Sequence, residues 1–285
     1  MKTIAIIGYG HIGVAAEQVI AVSKDLTLAG VYHHNDDLSS IDADAVLVCT
    51  PSREVAEYVK PLLERGICTI DSFDIHTEIP TLRASLMRIA QDHQAVSVLS
   101  AGWDPGSDSV IRCMMQALAP QGITYTDFGP GRSMGHTVAA KTIHGVKDAL
   151  SLTIPLGTGI HRRMVYVELE EGAKFAEVEA AIHADDYFHH DETHVISVDS
   201  IEDLNNVAHG VHISRNGVSG TTHNQQLGFT MSINNPALTG QVMVSCARAA
   251  LRLKDEQRFG AFTMIEIPPV YLLEGSTDEN VKKLV

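Results

Sequence analysis

The chain has 285 residues, 45% of them hydrophobic and 20% charged, which is material for one large or two modest globular domains. Its formal net charge of −14 speaks against non-specific binding to nucleic acid or to an anionic membrane, since both need a basic face. The four cysteines, Cys49, Cys68, Cys113 and Cys246, lack C-x-x-C spacing, which argues against a disulfide frame or a cysteine zinc site and fits buried thiols in a reducing compartment.

The first predicted element is the apolar run Thr3-Ile4-Ala5-Ile6-Ile7. It leads directly into Gly8-Tyr9-Gly10-His11-Ile12-Gly13 and then into a helical pattern from Val14. A G-x-G-x-x-G between a strand and a helix is the dinucleotide-binding fingerprint. Gly8 permits the tight turn, Gly10 lets backbone approach a pyrophosphate, and Gly13 lets helix pack on strand. The helix start offers N–H groups and a positive dipole end to phosphate. A glycine-rich turn in some other βα unit is the alternative.

The second strand, Leu26 to Tyr32, ends where such a domain chooses between NAD and NADP. His33 and His34 follow, then Asn35-Asp36-Asp37. Their imidazoles suit a 2′-phosphate, so NADP is expected, with NAD possible; a solvated loop is the bland reading. Ala45 to Thr50 reads as a buried strand. Cys49, Thr50, Pro51 and Ser52 then make a βα junction facing the cofactor, with Ser52 as a helix cap before Val55 to Leu63. The strand Ile67 to Ser72 exits through the polar run Asp71-Ser72-Phe73-Asp74-Ile75-His76. Ligands in open α/β sheets sit outside the carboxyl ends of strands, which makes Asp74 a candidate; an Asx turn or cap competes. After a helix from Leu82 to Asp92, Ala95 to Ser100 exits into Ala101-Gly102-Trp103-Asp104-Pro105-Gly106. There Trp103 is expected on a pocket wall. A helix from about Ser109 to Leu118 completes a pattern that predicts a parallel, doubly wound α/β sheet of Rossmann type.

The pattern changes near Gln121. A strand from Thr124 to Phe128 runs into Gly129-Pro130-Gly131-Arg132-Ser133-Met134-Gly135-His136, a loop suited to close ligand approach. Alternating segments at Met164–Leu169, Thr193–Val198 and Phe229–Ile233 interleave with helical patterns at Lys174–His183 and Ala237–Arg252, predicting an α+β domain with a mostly antiparallel sheet. Residues 1–120, rejoined by 250–285, form the expected dinucleotide-binding domain, and 121–249 the expected substrate-binding and dimerisation domain, with substrate in the cleft between them. Fifteen histidines are present, but none is spaced as a strong metal motif. His189-His190-Asp191 reads as a solvated loop. His209 and His212 are expected on one face of a strand without a third ligand, so no metal is expected. No basic segment with an apolar core precedes the fingerprint and no run of about 18 apolar residues appears, so a cytoplasmic location is expected.

Together these loops, with Gly260-Ala261-Phe262-Thr263-Met264-Ile265-Glu266, resemble the meso-diaminopimelate D-dehydrogenase family over essentially the whole chain, and its shorter, broader-specificity branch most closely. The resemblance implies NADP-dependent, reversible oxidative deamination at the D-centre of meso-2,6-diaminopimelate, a homodimer, and a role in lysine and cell-wall precursor synthesis. It implies substrate contacts from Asp74, Trp103, Asp104, Phe128, Met134, Gly135, Thr153, Arg163, His209 and Asn235. One departure stands out: the family usually carries adjacent arginines where this chain has His33-His34.

The chemistry fits the residue types. Hydride leaves an α-carbon only once its nitrogen is neutral, so Asp74 and Asp104 are assigned to hold the amine and accept its proton; a bound water is the alternative carrier. Met134 and Gly135 offer backbone N–H groups, and Arg163 with Thr153 a bidentate carboxylate clamp. Without the resemblance, Arg163 in His161-Arg162-Arg163 would read as a surface residue. A reductase acting on dihydrodipicolinate or another small carboxylate, and a non-catalytic NAD(P) sensor, are the competing functions.

Overall fold

The computed structural model describes residues 1–204 and 208–285, with Met134 and Asp203 described by backbone alone. The chain divides into two units, Met1–Cys113 with Asn235–Val285, and Met114–Asn234.

The first unit opens as a βα series: β1 (Lys2–Ile7), α1 (His11–Val22), β2 (Leu26–Tyr32), β3 (Ala45–Val48), α2 (Val55–Glu64), β4 (Cys68–Asp71), α3 (Ile79–Asp92), β5 (Val96–Val98) and α4 (Ser107–Leu118). The second unit contains β6 (Gln121–Phe128), β7 (Gly131–Arg132), α5 (Met134–Lys141), β8 (Val146–Gly157), β9 (Ile160–Leu169), α6 (Phe175–Ala184), β10 (Glu192–Ser197), β11 (His209–Ser219) and β12 (Thr222–Ile233). The chain then returns to the first unit with α7 (Asn235–Asp255), β13 (Gly260–Phe262) and α8 (Thr277–Leu284).

In the first unit a six-stranded parallel sheet runs in the order β13-β5-β4-β3-β1-β2. Its strands are apolar on both faces because both faces are covered. Ile4, Ile6, Leu47 and Ile70 point to one side, where α7 supplies Met243, Ala247 and Leu251. Ala5, Ile7, Val46 and Val48 point to the other, against Val59 and Leu63 of α2 and Leu86 of α3. The doubly wound expectation is met, and α7 explains its own composition. Small residues let it approach α1 so closely that a Cβ at Gly240 would lie 2.8 Å from the Ala16 nitrogen.

The second unit holds two sheets, β10-β9-β8-β7 and β12-β11-β6. Pairings are antiparallel except β10 on β9, which is parallel. Helices α5 and α6 close the first sheet through Ala139, Ala140, Val178 and Ile182, packed on Val165 and Val167 of β9. His209 and His212 both fall on β11, but they are three residues apart on a strand. They therefore face opposite sides rather than the one face expected of them. His212 turns its Nδ1 to the Thr230 hydroxyl at 2.7 Å.

Candidate active site

In the first unit the fingerprint turn behaves as its glycines require. Gly8 has φ +88°, and a Cβ there would lie 2.6 Å from the Cys49 carbonyl oxygen. A Cβ on Gly13 would lie 2.2 Å from the Gly8 carbonyl oxygen, so helix and strand touch at this point. Nothing lies within 4 Å of a Cβ built on Gly10, which faces open space. No side chain caps the start of α1 and no acid sits in its first turn, so its N–H groups and dipole remain available to an anion. Beside it lies a hollow of about 450 Å³ lined by Gly8, Gly10, His34, Thr50, Pro51 and Tyr58, among others. The Thr50 hydroxyl is buried in that wall with no hydrogen-bond partner among the described residues. Open space over Gly10, an uncapped helix start and an orphaned hydroxyl fit a dinucleotide.

Cys49 lines the same hollow, its thiol pushed up to about 12 by burial, so it is apolar wall rather than nucleophile. His34 places its Nδ1 2.9 Å from the Tyr58 hydroxyl. His33 is exposed, its backbone N–H donating to Asp36 at 2.6 Å and its ring edge-on to Tyr9 at 6.1 Å. Ser52 is not a helix cap. Its hydroxyl donates to Asp74 Oδ1 at 2.5 Å and accepts from the Asp74 N–H at 3.1 Å, which ties the β3 exit to the β4 exit.

The β4 and β5 exits are joined by a residue not assigned from sequence. Asp71, fully buried at the end of β4, accepts the N–H groups of Phe73 and Ser100 at 3.0 and 3.1 Å. Burial pushes its carboxyl up to about 6, against the opposing effect of those two N–H bonds. Asp71 thus fixes both loops, one bearing Asp74 and the other Trp103 and Asp104. Trp103 is buried, and Asp104 is nearly so, paired with Arg112 Nη2 at 3.0 Å. Asn235 begins α7, its side-chain oxygen accepting from Thr239 at 3.3 Å.

In the second unit, Thr153 of β8 stands directly opposite Arg163 of β9, and Gly131 of β7 stands opposite Thr153 on its other side. A Cβ on Gly129 would lie 2.2 Å from the Thr153 carbonyl oxygen, and one on Gly131 2.0 Å from the Ala208 carbonyl oxygen. Glycine is therefore what lets this loop lie against both β8 and the start of β11, gathering Phe128, Thr153 and His209. The Phe128 N–H donates to His161 Nε2 at 2.8 Å. The Arg163 guanidinium bonds the Thr153 hydroxyl through Nη1, and its Nε lies 2.6 Å from Asp191 Oδ2. Asp191 is therefore not part of a solvated loop but the partner of this arginine. Asp191 takes Nε and Thr153 one N–H of Nη1, leaving Nη2 and the second N–H of Nη1 to meet a carboxylate.

The glycine-rich run does not end as a loop. Met134 and Gly135 open α5, whose first turn has no acid and no side-chain cap. Gly135 is exposed, and the Met134 side chain lies outside the described residues. His136 puts Nδ1 2.9 Å from the Ser133 hydroxyl and stacks edge-on against Tyr187 and Phe188 at 5.4 and 5.3 Å. Burial, then the Arg163 charge, pushes it down to about 4, so it is a neutral imidazole at physiological pH.

A parallel sheet with a dinucleotide fingerprint, acids at two strand exits, and a separate unit presenting a held arginine and an open helix start define an oxidoreductase of the Rossmann class acting on a small charged substrate. Residues 102–160 match the family model of the diaminopimelic acid dehydrogenase C-terminal domain. The chain is 52% identical to the meso-diaminopimelate D-dehydrogenase of Bacteroides fragilis, over 99% of this chain and 98% of that one. It is 31% identical to that of Acetivibrio thermocellus over 99% and 97%. The chain belongs to the meso-diaminopimelate D-dehydrogenase family. Among solved structures, it is similar to the Corynebacterium glutamicum DAP dehydrogenase in complex with DAP, at a TM-score of 0.87 and 28% identity, covering 100% of this chain and 99% of that one. An engineered D-amino acid dehydrogenase bound to NADP+ aligns at a TM-score of 0.81 and 26% identity, covering 100% and 99%.

Proposed function

We propose that this protein catalyses the NADP-dependent, reversible oxidative deamination of the D-centre of meso-2,6-diaminopimelate, giving L-2-amino-6-oxopimelate and ammonia on the route to lysine. The observation that carries this reading is the 52% identity over essentially the full length of a meso-diaminopimelate D-dehydrogenase. The start of α1 and the adjoining hollow would hold NADP, with Tyr9, His11 and Ile12 on the turn, Cys49 to Ser52 along the wall, and His33 and His34 as the candidates for its 2′-phosphate. When bound, it supplies the hydride acceptor.

The protein's part is positioning and proton handling. Asp74 and Asp104 hold the reacting ammonium and take the proton that must leave before the α-carbon can give up hydride. Trp103 of the first unit and Phe128 of the second are the apolar contacts assigned to the substrate. A substrate carboxylate meets Arg163 and Thr153 or the N–H groups of Met134 and Gly135, while His209 and Asn235 bind the distant amino acid end. The family resemblance extends the reading to a homodimer working in the cytoplasm; among the described residues no helix is long and apolar enough to cross a membrane.

The test is the absorbance of reduced nicotinamide with meso-, L,L- and D,D-diaminopimelate and D-alanine, each with NADP and with NAD. Reduction of NADP by the meso but not the L,L isomer is the expected result. Silence with every amine, while NADP still binds, would transfer the chain to the sensor class.

A further inference from the structure

Asp108 lies in the first turn of α4, four residues after Asp104 and four before Arg112. Asp108 and Arg112 share one side of α4, and the turn before the helix brings Asp104 to the same guanidinium. Arg112 Nη2 is 3.0 Å from Asp104 Oδ1 and 2.8 Å from Asp108 Oδ2. A single guanidinium nitrogen therefore faces both carboxyl groups. The Asp108 side chain is completely buried, whereas that of Asp104 is 12% exposed. Arg112 balances one negative charge. A second carboxylate in the same water-poor corner would be uncompensated, and the less costly state keeps a proton on one of the two. The more deeply buried member is the one to hold it, and its O–H then donates to Asp104.

We propose that Asp108 is a positioning residue for the deamination, forming with Asp104 an acid pair that shares one proton and sets the proton affinity of Asp104. This rests on the reading that Asp104 receives the proton of the substrate ammonium. In that step one N–H bond of the ammonium breaks and one O–H bond forms on Asp104. The pair passes from one proton to two, and nothing is oxidised or reduced. A protonated Asp108 stabilises the Asp104 carboxylate and makes it a weak base. Once Asp108 ionises, the second charge makes Asp104 a stronger one.

The charged groups that face Asp108 are Asp104 and Arg112. Burial, then the Asp104 charge, pushes Asp108 up to about 8, and Arg112 opposes the rise only in part. The deamination rate of the wild type is therefore expected to climb as pH rises through that region. Asp108→Asn keeps a side chain able to donate to Asp104 but can carry no charge. Its profile should lack this limb, falling on the order of tenfold below wild type on the alkaline side and converging with it where the pair already holds its proton.

The experiment combines kcat against pH for wild type and Asp108→Asn with a 13C NMR titration of labelled aspartate carboxyls in the NADP-bound protein. An aspartate that titrates far above the ordinary carboxyl range in wild type is expected. It should be absent from Asp108→Asn and shift downwards in Asp104→Asn, where the like charge is gone. Buried Asp71 also titrates above the ordinary range, near 6, so the downward shift in Asp104→Asn assigns the Asp108 signal even if Asp108→Asn fails to fold. No such aspartate, or kcat profiles that superimpose, overturns the proposal. A wild type that turns over no diaminopimelate overturns the substrate reading and the coupling with it. Normal wild-type turnover with superimposed profiles overturns the coupling alone.

Discussion

The Arg163 guanidinium is held on two sides by its own unit, by Thr153 at Nη1 and by Asp191 at Nε. Holding it removes rotamer freedom that a substrate carboxylate would otherwise have to freeze, so less binding energy goes into ordering it. The carboxylate is bound alike before and during hydride transfer, so its loss should raise KM more than it lowers kcat. Arg163→Met should reduce kcat/KM for meso-diaminopimelate on the order of a hundredfold, as expected for losing charge-assisted hydrogen bonds. Steady-state kinetics with NADP saturating would check this, and an unchanged KM would remove Arg163 from the carboxylate site. In the sequence this residue was hidden by its neighbour. Arg162 and Arg163 look equivalent in a basic run, yet strand alternation sends Arg162 out to Glu192 and Arg163 inward, where its side chain is 13% exposed. Asp191 was hidden for the complementary reason, since nothing in His189-His190-Asp191 reveals that the loop folds back to β9.

At the level of elements, the two acid-bearing loops of the first unit are joined through Asp71. Its folded-state carboxyl sits near 6, above the usual range, because burial outweighs its two N–H bonds. A group raised in the folded state favours folding most below its unfolded value and loses that contribution as pH rises through its folded one. Asp71→Asn stays neutral and still offers one oxygen to both N–H groups. Its melting temperature should therefore rise relative to wild type between roughly pH 4 and 6. Asp71→Ala leaves both N–H groups unpartnered and should cost on the order of 2 kcal/mol in urea unfolding, together with activity, because the loops it joins carry Asp74 and Asp104. A melting difference between Asp71→Asn and wild type that is constant with pH would show that the carboxyl titrates normally.

The same scale explains which elements could be read from sequence. The parallel strands were legible because burial on both faces makes them continuous apolar runs. β11 was read only at its start, His209 to His212, because its later inward positions Ile213 and Arg215 include a buried arginine, whose guanidinium donates to the carbonyls of Ala119 and Pro120 and to Thr124. α5 was masked by glycine and by its short length. The shared charge of Asp104, Asp108 and Arg112 was not legible, because it rests on a turn before α4 and on burial that spacing does not show.

For the molecule as a whole, a net charge of −14 works against a cofactor that is itself anionic, and more against NADP than NAD, because NADP carries the additional 2′-phosphate. Local donors must overcome that background: the N–H groups of α1 for the pyrophosphate, common to both cofactors, and His33 and His34 for the 2′-phosphate alone. Binding to the folded state transmits these contacts to global stability. At a hundred times its Kd, a cofactor should stabilise by about 2.7 kcal/mol, or on the order of 5 °C in a chain of this size. NADP should raise the melting temperature more than NAD at equal concentration, and replacing both histidines by alanine should close most of that gap. The NAD shift is the internal control. His34 also contacts Tyr58, so general loosening of the hollow would reduce both shifts together, whereas loss of a phosphate partner reduces only that of NADP. Equal shifts for the two cofactors in wild type would mean that the 2′-phosphate finds no partner at His33 and His34, and that the discrimination expected from them is absent.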